Sequence, residues 1–344
     1  MSLPSGQLFC VAFKLIWLKL IKLKLFFTRI IDKFVHHFYD MRKDLLAYMA
    51  LAAVCLIWGT TYLALRIAVT HFPPFLFSGI RQTTAGLILL AFMLTLGKQK
   101  LPSTSILWQQ AIAGFLMMTV GNGLVAWAEM HIPSGIAAIL CSLMPIWVIL
   151  INVSIDKGEK PTLPILAGTV LGLLGIVLIF GNDLSELTNS NYLLGIGMTL
   201  LATAGWASGS VWIKKQHINT NPFVNAGLQM FFGGLFMLLL SPLTDDLSNV
   251  HWSSEAFYAM LYLIVFGSLI AYTCYAYAIR KLPMTIVSMY AYINPLVAVL
   301  LGWLILDEVL NLRIGIAMLI TITGIYLVNR GYQLKNLWKA QFSK

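Results

Sequence analysis

The chain has 344 residues, 59% of them hydrophobic and only 10% charged, with a mean hydropathy of +0.83. A soluble domain carries about 25% charged residues, so this chain cannot clothe a water-exposed surface of its size, and its natural solvent is lipid. The net charge of +10 does not mark a nucleic-acid partner, because eight of the 23 Lys and Arg residues precede residue 44 and most others sit in short gaps between apolar runs.

Residues 1–44 form a basic, aromatic segment running through Lys14, Trp17, Lys19, Lys22, Lys24, Arg29 and Lys33. Two readings stand. The segment is a helix lying on the anionic inner leaflet, or it lies upstream of a true start at Met41. No small-residue cleavage site precedes the first apolar run, which argues against a signal peptide. About 20 apolar residues cross a bilayer, and ten such segments follow: 45–69, 74–97, 107–129, 133–155, 164–181, 192–213, 222–241, 255–279, 283–306 and 312–329. Pro73, Pro74, Pro133, Pro161, Pro164, Pro222, Pro242 and Pro283 mark the short joins. Irregular backbone cannot face hydrocarbon, so each run reads as a helix. Cys55, Cys141 and Cys274 fall inside apolar runs and Cys10 near the start, with no metal-ligand spacing.

Basic residues set the orientation. With residues 1–44 in the cytoplasm and the spans alternating, twenty of the 23 Lys and Arg residues fall in cytoplasmic segments, including Lys98, Lys100, Lys157, Lys160, Lys214, Lys215, Arg280 and Lys281. The remaining three, Arg66, Arg81 and Arg313, lie within or at the edge of helices. Asp183, Glu186, Asp245, Asp246, Glu255, Asp307 and Glu308 cluster on the opposite side. Both termini are then cytoplasmic, and a basic tail occupies 331–344.

The two halves match at a nearly constant offset. Trp58 pairs with Trp206, Arg66 with Lys214 and Pro74-Phe75 with Pro222-Phe223 at 148, which places Gln229 opposite Arg81. Trp127 with Tyr277, Pro133 with Pro283 and Pro145 with Pro295 follow at 150; Glu159 with Glu308 and Gly175 with Gly324 follow at 149. Five helices per copy is an odd number, so the second copy inserts upside down. The expected fold is an all-α polytopic membrane protein of ten transmembrane helices in two five-helix inverted repeats, 45–181 and 192–330. Inverted repeats recur in secondary transporters, whose substrate sites lie between the halves.

Several short motifs carry a family likeness. They are Trp58-Gly59-Thr60-Thr61 in helix 1, Pro145 in helix 4, Gly158-Glu159-Lys160 with Gly168, Gly172 and Gly175, and in the second half Asn294-Pro295-Leu296, Leu306-Asp307-Glu308, Gly315 and Gly324. Over residues 41–330 the chain resembles the drug/metabolite transporter superfamily, specifically its EamA-type ten-helix exporters. One departure is Asp156-Lys157-Gly158 before Glu159, more polar than the usual apolar-Gly-Glu ending. The resemblance implies a pore lined by helices 1–4 and 6–9, and transport of small metabolites, commonly export of amino acids or related compounds.

No Ser/His/Asp arrangement, phosphate loop or metal spacing appears in the sequence, so no catalytic residue, cofactor or metal is expected. Intramembrane charge is the sharper signal, because each such residue costs at least about 2.5–3.5 kcal/mol at mid-helix. Arg81, seven residues into helix 2, either snorkels to the outer surface or faces a cavity and holds a carboxylate. Arg66, nearer its helix end, fits snorkelling. Glu129 either titrates as a proton-coupling carboxylate or pairs with an arginine. Asn122, seven residues before Glu129, shares its face, and Asn294 precedes Pro295, which removes one helix hydrogen bond. Trp58, Tyr62, Trp127, Trp206, Tyr277 and Tyr290 are packing aromatics or the walls of a site for flat or apolar metabolites.

The substrate-binding candidates are therefore Trp58, Tyr62, Arg81, Asn122, Trp127, Trp206, Gln229, Tyr277, Tyr290 and Asn294, with Glu129 for proton coupling. The expected partners are a small-molecule substrate and the lipid bilayer, and a homodimer is left open. The expected function is secondary transport across the inner, or cytoplasmic, membrane, set against a membrane-embedded enzyme and a non-transporting scaffold or sensor. The topology predicts that an impermeant thiol reagent reaches Lys98→Cys only from the cytoplasmic side and Asp245→Cys only from the other. Labelling of both from one side would overturn the ten-span reading.

Overall fold

The computed structural model describes residues 45–155, 162–180, 189–216, 220–251, 253–282, 287, 290–306 and 311–342. The expectations for residues 1–44 and 157–161, for Asp183 and Glu186, for Pro283 and for Asp307 and Glu308 lie outside the described residues. The chain divides into two units at Met49/Ala50. Of the first unit only the opening turn of the first helix is described, and the account below concerns the second.

Among the described residues eleven α-helices carry the fold: α1 (Leu45–Val69), α2 (Pro74–Thr95), α3 (Thr104–Ala128), α4 (Ser134–Cys141), α5 (Met144–Ile155), α6 (Leu163–Phe180), α7 (Ser190–Lys215), α8 (Pro222–Thr244), α9 (Ser254–Lys281), α10 (Tyr290–Leu306) and α11 (Leu312–Phe342). There is no strand among the described residues. Among the described residues six helices (α1, α2, α3, α7, α8 and α9) are long and apolar enough to cross a membrane, and four shorter apolar stretches fall at 134–148, 163–172, 293–305 and 312–324. Large apolar side chains stand exposed on the outside, with Leu96, Trp108, Leu243 and Leu312 between 66% and 83% accessible. The molecule is a polytopic all-α membrane protein, with lipid covering what water could not.

Local chemistry fixes where the helices start and stop. Pro74 and Pro222 open α2 and α8, where a missing N–H is harmless. Asn221 caps α8 by accepting from Phe223 N at 2.9 Å, and Asn189 caps α7 by accepting from Asn191 N at 3.1 Å. Asp245, just past α8, caps a different helix: its carboxylate accepts from Leu76 N at 2.7 Å and Ser241 Oγ at 2.8 Å, tying the end of α8 to the start of α2. Lys98, at φ 48°, turns the chain out of α2. The single run expected at 133–155 is broken after Cys141, because Pro145 has no N–H to give the Cys141 carbonyl, and the chain resumes as a new helix at Met144. The last helix continues to Phe342, through residues that the sequence reads as a tail.

The two most extensive helix interfaces, α2 with α8 and α6 with α11, each join counterparts from the two halves. Glycines bring the backbones together. A methyl group built on Gly86 would sit 2.5 Å from Phe231 N, and one on Gly234 would strike Thr83. A methyl on Gly79 would lie 2.9 Å from Leu238 Cγ, and one on Gly227 2.9 Å from Leu90 Cγ. Each contact is its partner shifted by 148 residues and exchanged between helices. Between α6 and α11, Gly175 meets Ala317 and Thr321 while Gly324 meets Gly168 and Gly172, the same exchange at an offset of 149. Numbers rise along one helix as they fall along the other, so the counterpart helices run antiparallel. Reciprocal contacts of this kind mark an internal two-fold relation.

The relation extends to helix irregularities. Within α3 the segment Phe115–Gly123, and within α9 the segment Leu263–Ile270, widen into π-helical turns whose starts are 148 residues apart. Such turns recur at functional sites because they take carbonyls out of the regular ladder.

Gly86→Ala should lower stability by about 1–3 kcal/mol, since backbone rather than a movable side chain blocks the methyl. Gly197→Ala, with open space around it, should be neutral or stabilising by up to about 1 kcal/mol. Thermal unfolding in detergent checks both, and equal behaviour of the two variants would refute the close α2–α8 seam.

Candidate functional site

The π-helical turn of α9 builds one wall of a cavity. Its Gly267 carbonyl accepts from Trp58 Nε1 at 3.1 Å, so the turn holds the α1 tryptophan in place. The next residue, Ser268, accepts from Arg81 Nε at 3.0 Å and donates to Gln82 Oε1 at 3.2 Å. A side chain at position 267 would begin 2.9 Å from Arg81 Nη2, so glycine is what lets the guanidinium lie against this turn.

Arg81 is only 4% exposed, so of the two sequence readings the snorkelling one does not hold. Its Nε–H has the Ser268 hydroxyl, and the guanidinium stands on the cavity wall. Glu129, fully buried at the end of α3, lies within electrostatic reach of both Arg81 and Tyr62. A positive charge out of water is tolerable where acceptors and an opposing carboxylate surround it.

Five rings pack together here, four of them on the cavity wall with Arg81. Trp58 meets Trp206 edge-on at 5.4 Å, Tyr290 edge-on at 5.1 Å and Tyr275 at 5.1 Å; Trp206 meets Tyr272 at 6.1 Å; and Tyr272 and Tyr275 stack at 6.0 Å. These separations are those of favourable aromatic pairs. Tyr275 is fixed further by Ser210, 3.2 Å between their hydroxyls. On α10, the Asn294 amide, with its orientation assigned from the surrounding acceptors, donates to Tyr290 O at 3.0 Å and Cys55 O at 2.9 Å, joining α10 to α1.

The cavity leaves the centre of a water molecule about 100 Å³ to move in, far above the roughly 10–15 Å³ that admits a single water. Trp58, Tyr62, Arg81, Asn122, Trp206, Tyr290 and Asn294, all singled out in the sequence, line it together. Asn122 turns its amide to Met118 Sδ at 3.3 Å. Three candidates stand elsewhere. Trp127 packs on His131 at 4.5 Å, whose imidazole burial and then the Arg66 charge hold below its usual value. Tyr277 stacks on Phe223 at 6.4 Å. Gln229 is buried behind the wall, bonded to Gln110 and Tyr272.

Sequence reasoning missed Gln82, Ser268, Tyr272 and Tyr275. Gln82 adjoins the one charge in its helix, and Tyr272 and Tyr275, three residues apart, share a helix face; both signals were readable. Ser268 carried none, since its role depends on an arginine 187 residues away. Among the described residues no cluster of His, Cys, Asp or Glu is placed to hold a metal.

The model of the EamA-like transporter family matches residues 45–181 and 193–330. The chain is 33% identical over 298 residues to the uncharacterized inner membrane transporter YedA of Escherichia coli (strain K12), covering 85% of this chain and 94% of that protein. It is 33% identical over 262 residues to protein PecM of Dickeya dadantii (strain 3937), covering 74% and 82%, and 25% identical over 280 residues to the uncharacterized transporter YoaV of Bacillus subtilis (strain 168), covering 81% and 95%. A crystal structure at 19% identity superposes with a TM-score of 0.60 over 82% of this chain and 95% of that one, a likeness of fold.

Ser268→Ala should cost about 1–3 kcal/mol, because it leaves a buried charged donor without its acceptor. Thermal unfolding of the purified variant in detergent measures it; an unchanged midpoint would mean that Arg81 does not depend on this bond.

Proposed function

The chain belongs to the EamA-like transporter family, and on that footing we propose that it is a secondary transporter of the inner membrane that exports amino acids or related small metabolites by alternating access. The observation that carries this reading is the buried Arg81 guanidinium lining one cavity together with Trp58, Trp206, Tyr272 and Tyr290. The charge suits a substrate carboxylate. The rings of Trp58, Trp206, Tyr272 and Tyr290 suit the apolar part of the same molecule.

The ten apolar stretches are taken as ten crossings, with both termini in the cytoplasm and the halves inverted. The antiparallel run of counterpart helices and the placement of basic residues support this topology. Rocking of one half against the other would then expose the cavity to the two sides in turn. Glu129 is the coupling carboxylate in this scheme: ionised, it competes with the substrate for Arg81; protonated, it leaves Arg81 to the substrate.

Transport of labelled amino acids into liposomes containing the protein, with and without a pH gradient, tests the proposal. Arg81→Ala should reduce flux at low substrate by at least about tenfold, the loss expected for a charge-assisted hydrogen bond, while the protein still purifies as a single species. Wild-type flux in that variant would remove Arg81 from the site, and absence of flux across a broad panel would remove the transport reading.

A further inference from the structure

Behind the cavity wall lies a second polar cluster that the transport site does not use. Gln229 of α8 donates from Nε2 to Gln110 Oε1 of α3 at 2.5 Å. The Tyr272 hydroxyl of α9 donates to Gln229 Oε1. All three side chains are buried, with Gln110 at 0%, Gln229 at 3% and Tyr272 at 3% exposed. Three helices are thus pinned at one point, and Gln110 Nε2 is left there as a buried donor with no partner among the described residues. An arrangement that gave that donor an acceptor would gain a hydrogen bond, so this one is not held by full satisfaction of its polar groups.

Position matters as much as chemistry. Gln229 is the two-fold counterpart of Arg81, and the two surroundings differ. Beside Arg81 lies the cavity, with Tyr62 and Gln82 on its wall. Their counterparts 148 residues on, Ser210 and Met230, are at 0% exposure. Gly209, the counterpart of the wall residue Thr61, packs against Met117. Of two equivalent places in a scaffold with two-fold contacts, one therefore holds a cavity and the other is filled, and the Gln110–Gln229–Tyr272 cluster lies in the filled one. Tyr272 belongs to both, because its ring lines the cavity while its hydroxyl reaches Gln229.

We infer that Gln110 and Gln229 form a latch that keeps this place in the bundle closed, with Tyr272 the lever through which an occupant of the cavity acts on it. A ligand that moves the Tyr272 ring weakens the bond to Gln229, and opening of the latch exposes the counterpart cavity around Ser210. This rests on the alternating-access reading, and it adds to it the groups that hold one of the two states.

The test is thiol accessibility. In a chain whose four cysteines are replaced by alanine, Ser210→Cys puts a near-isosteric probe in the filled place, and its alkylation by N-ethylmaleimide is timed in detergent and in liposomes. Gln229→Leu, which removes both bonds while keeping the bulk, should speed alkylation by at least about fivefold, the population shift expected when even one buried hydrogen bond is lost. Gln110→Leu and Tyr272→Phe should act in the same direction and remain informative if Gln229→Leu fails to fold. Unchanged alkylation in all the variants that fold overturns the latch. Faster alkylation in a protein that moves no substrate in liposomes keeps the latch and refutes transport, so the two claims fail separately.

Discussion

A guanidinium inside a bilayer-spanning bundle must find acceptors, and much of the described site follows from meeting that demand. Arg81 sits two turns into α2, too deep to leave its charge in water. Its Nε–H is met by a serine from the other half of the chain, and a buried carboxylate stands within electrostatic reach. The serine is presented by a π-helical turn, and the glycine before it leaves room for the guanidinium. The same turn supplies the carbonyl that orients Trp58. Local distortion of α9 thus sets both the charged and the aromatic wall, which is why displacing one should disturb the other.

The aromatic wall is a packed unit rather than a row of separate residues. Each ring leans on at least two others, and the rings come from α1, α7, α9 and α10. Two χ angles per ring leave little conformational freedom to lose on binding. The polar groups of the cavity are held differently, by hydrogen bonds that tie Arg81 to Ser268 and Asn294 to the Tyr290 and Cys55 carbonyls.

The sequence made the long helices legible because an apolar run of bilayer length has few other uses. It also showed the duplication, since Trp58 with Trp206 and Pro74 with Pro222 keep step at one spacing. The break after Cys141 is not visible in the apolar pattern, which runs straight across it, but it is written in Pro145, whose missing N–H a continuous helix over 133–155 would need. Of the cavity, Arg81 was legible through the cost of a mid-helix charge, and Trp58 and Trp206 through their matching positions. Gln229 drew attention for the same reason yet lies behind the wall, because equivalent positions share backbone surroundings without sharing exposure. Ser268 was silent, for its meaning comes only from a neighbour in the other half.

The glycine seam between α2 and α8 has the form of a contact between two identical molecules, each residue meeting its twin's counterpart. Two separate copies joined in that way would be obliged to carry every residue twice, and an arginine at position 81 would bring with it a second guanidinium to be sheltered from lipid. A single polypeptide escapes the obligation. It keeps the matched backbone contacts while placing arginine in one copy and glutamine in the other, so that a symmetric frame holds an asymmetric charge.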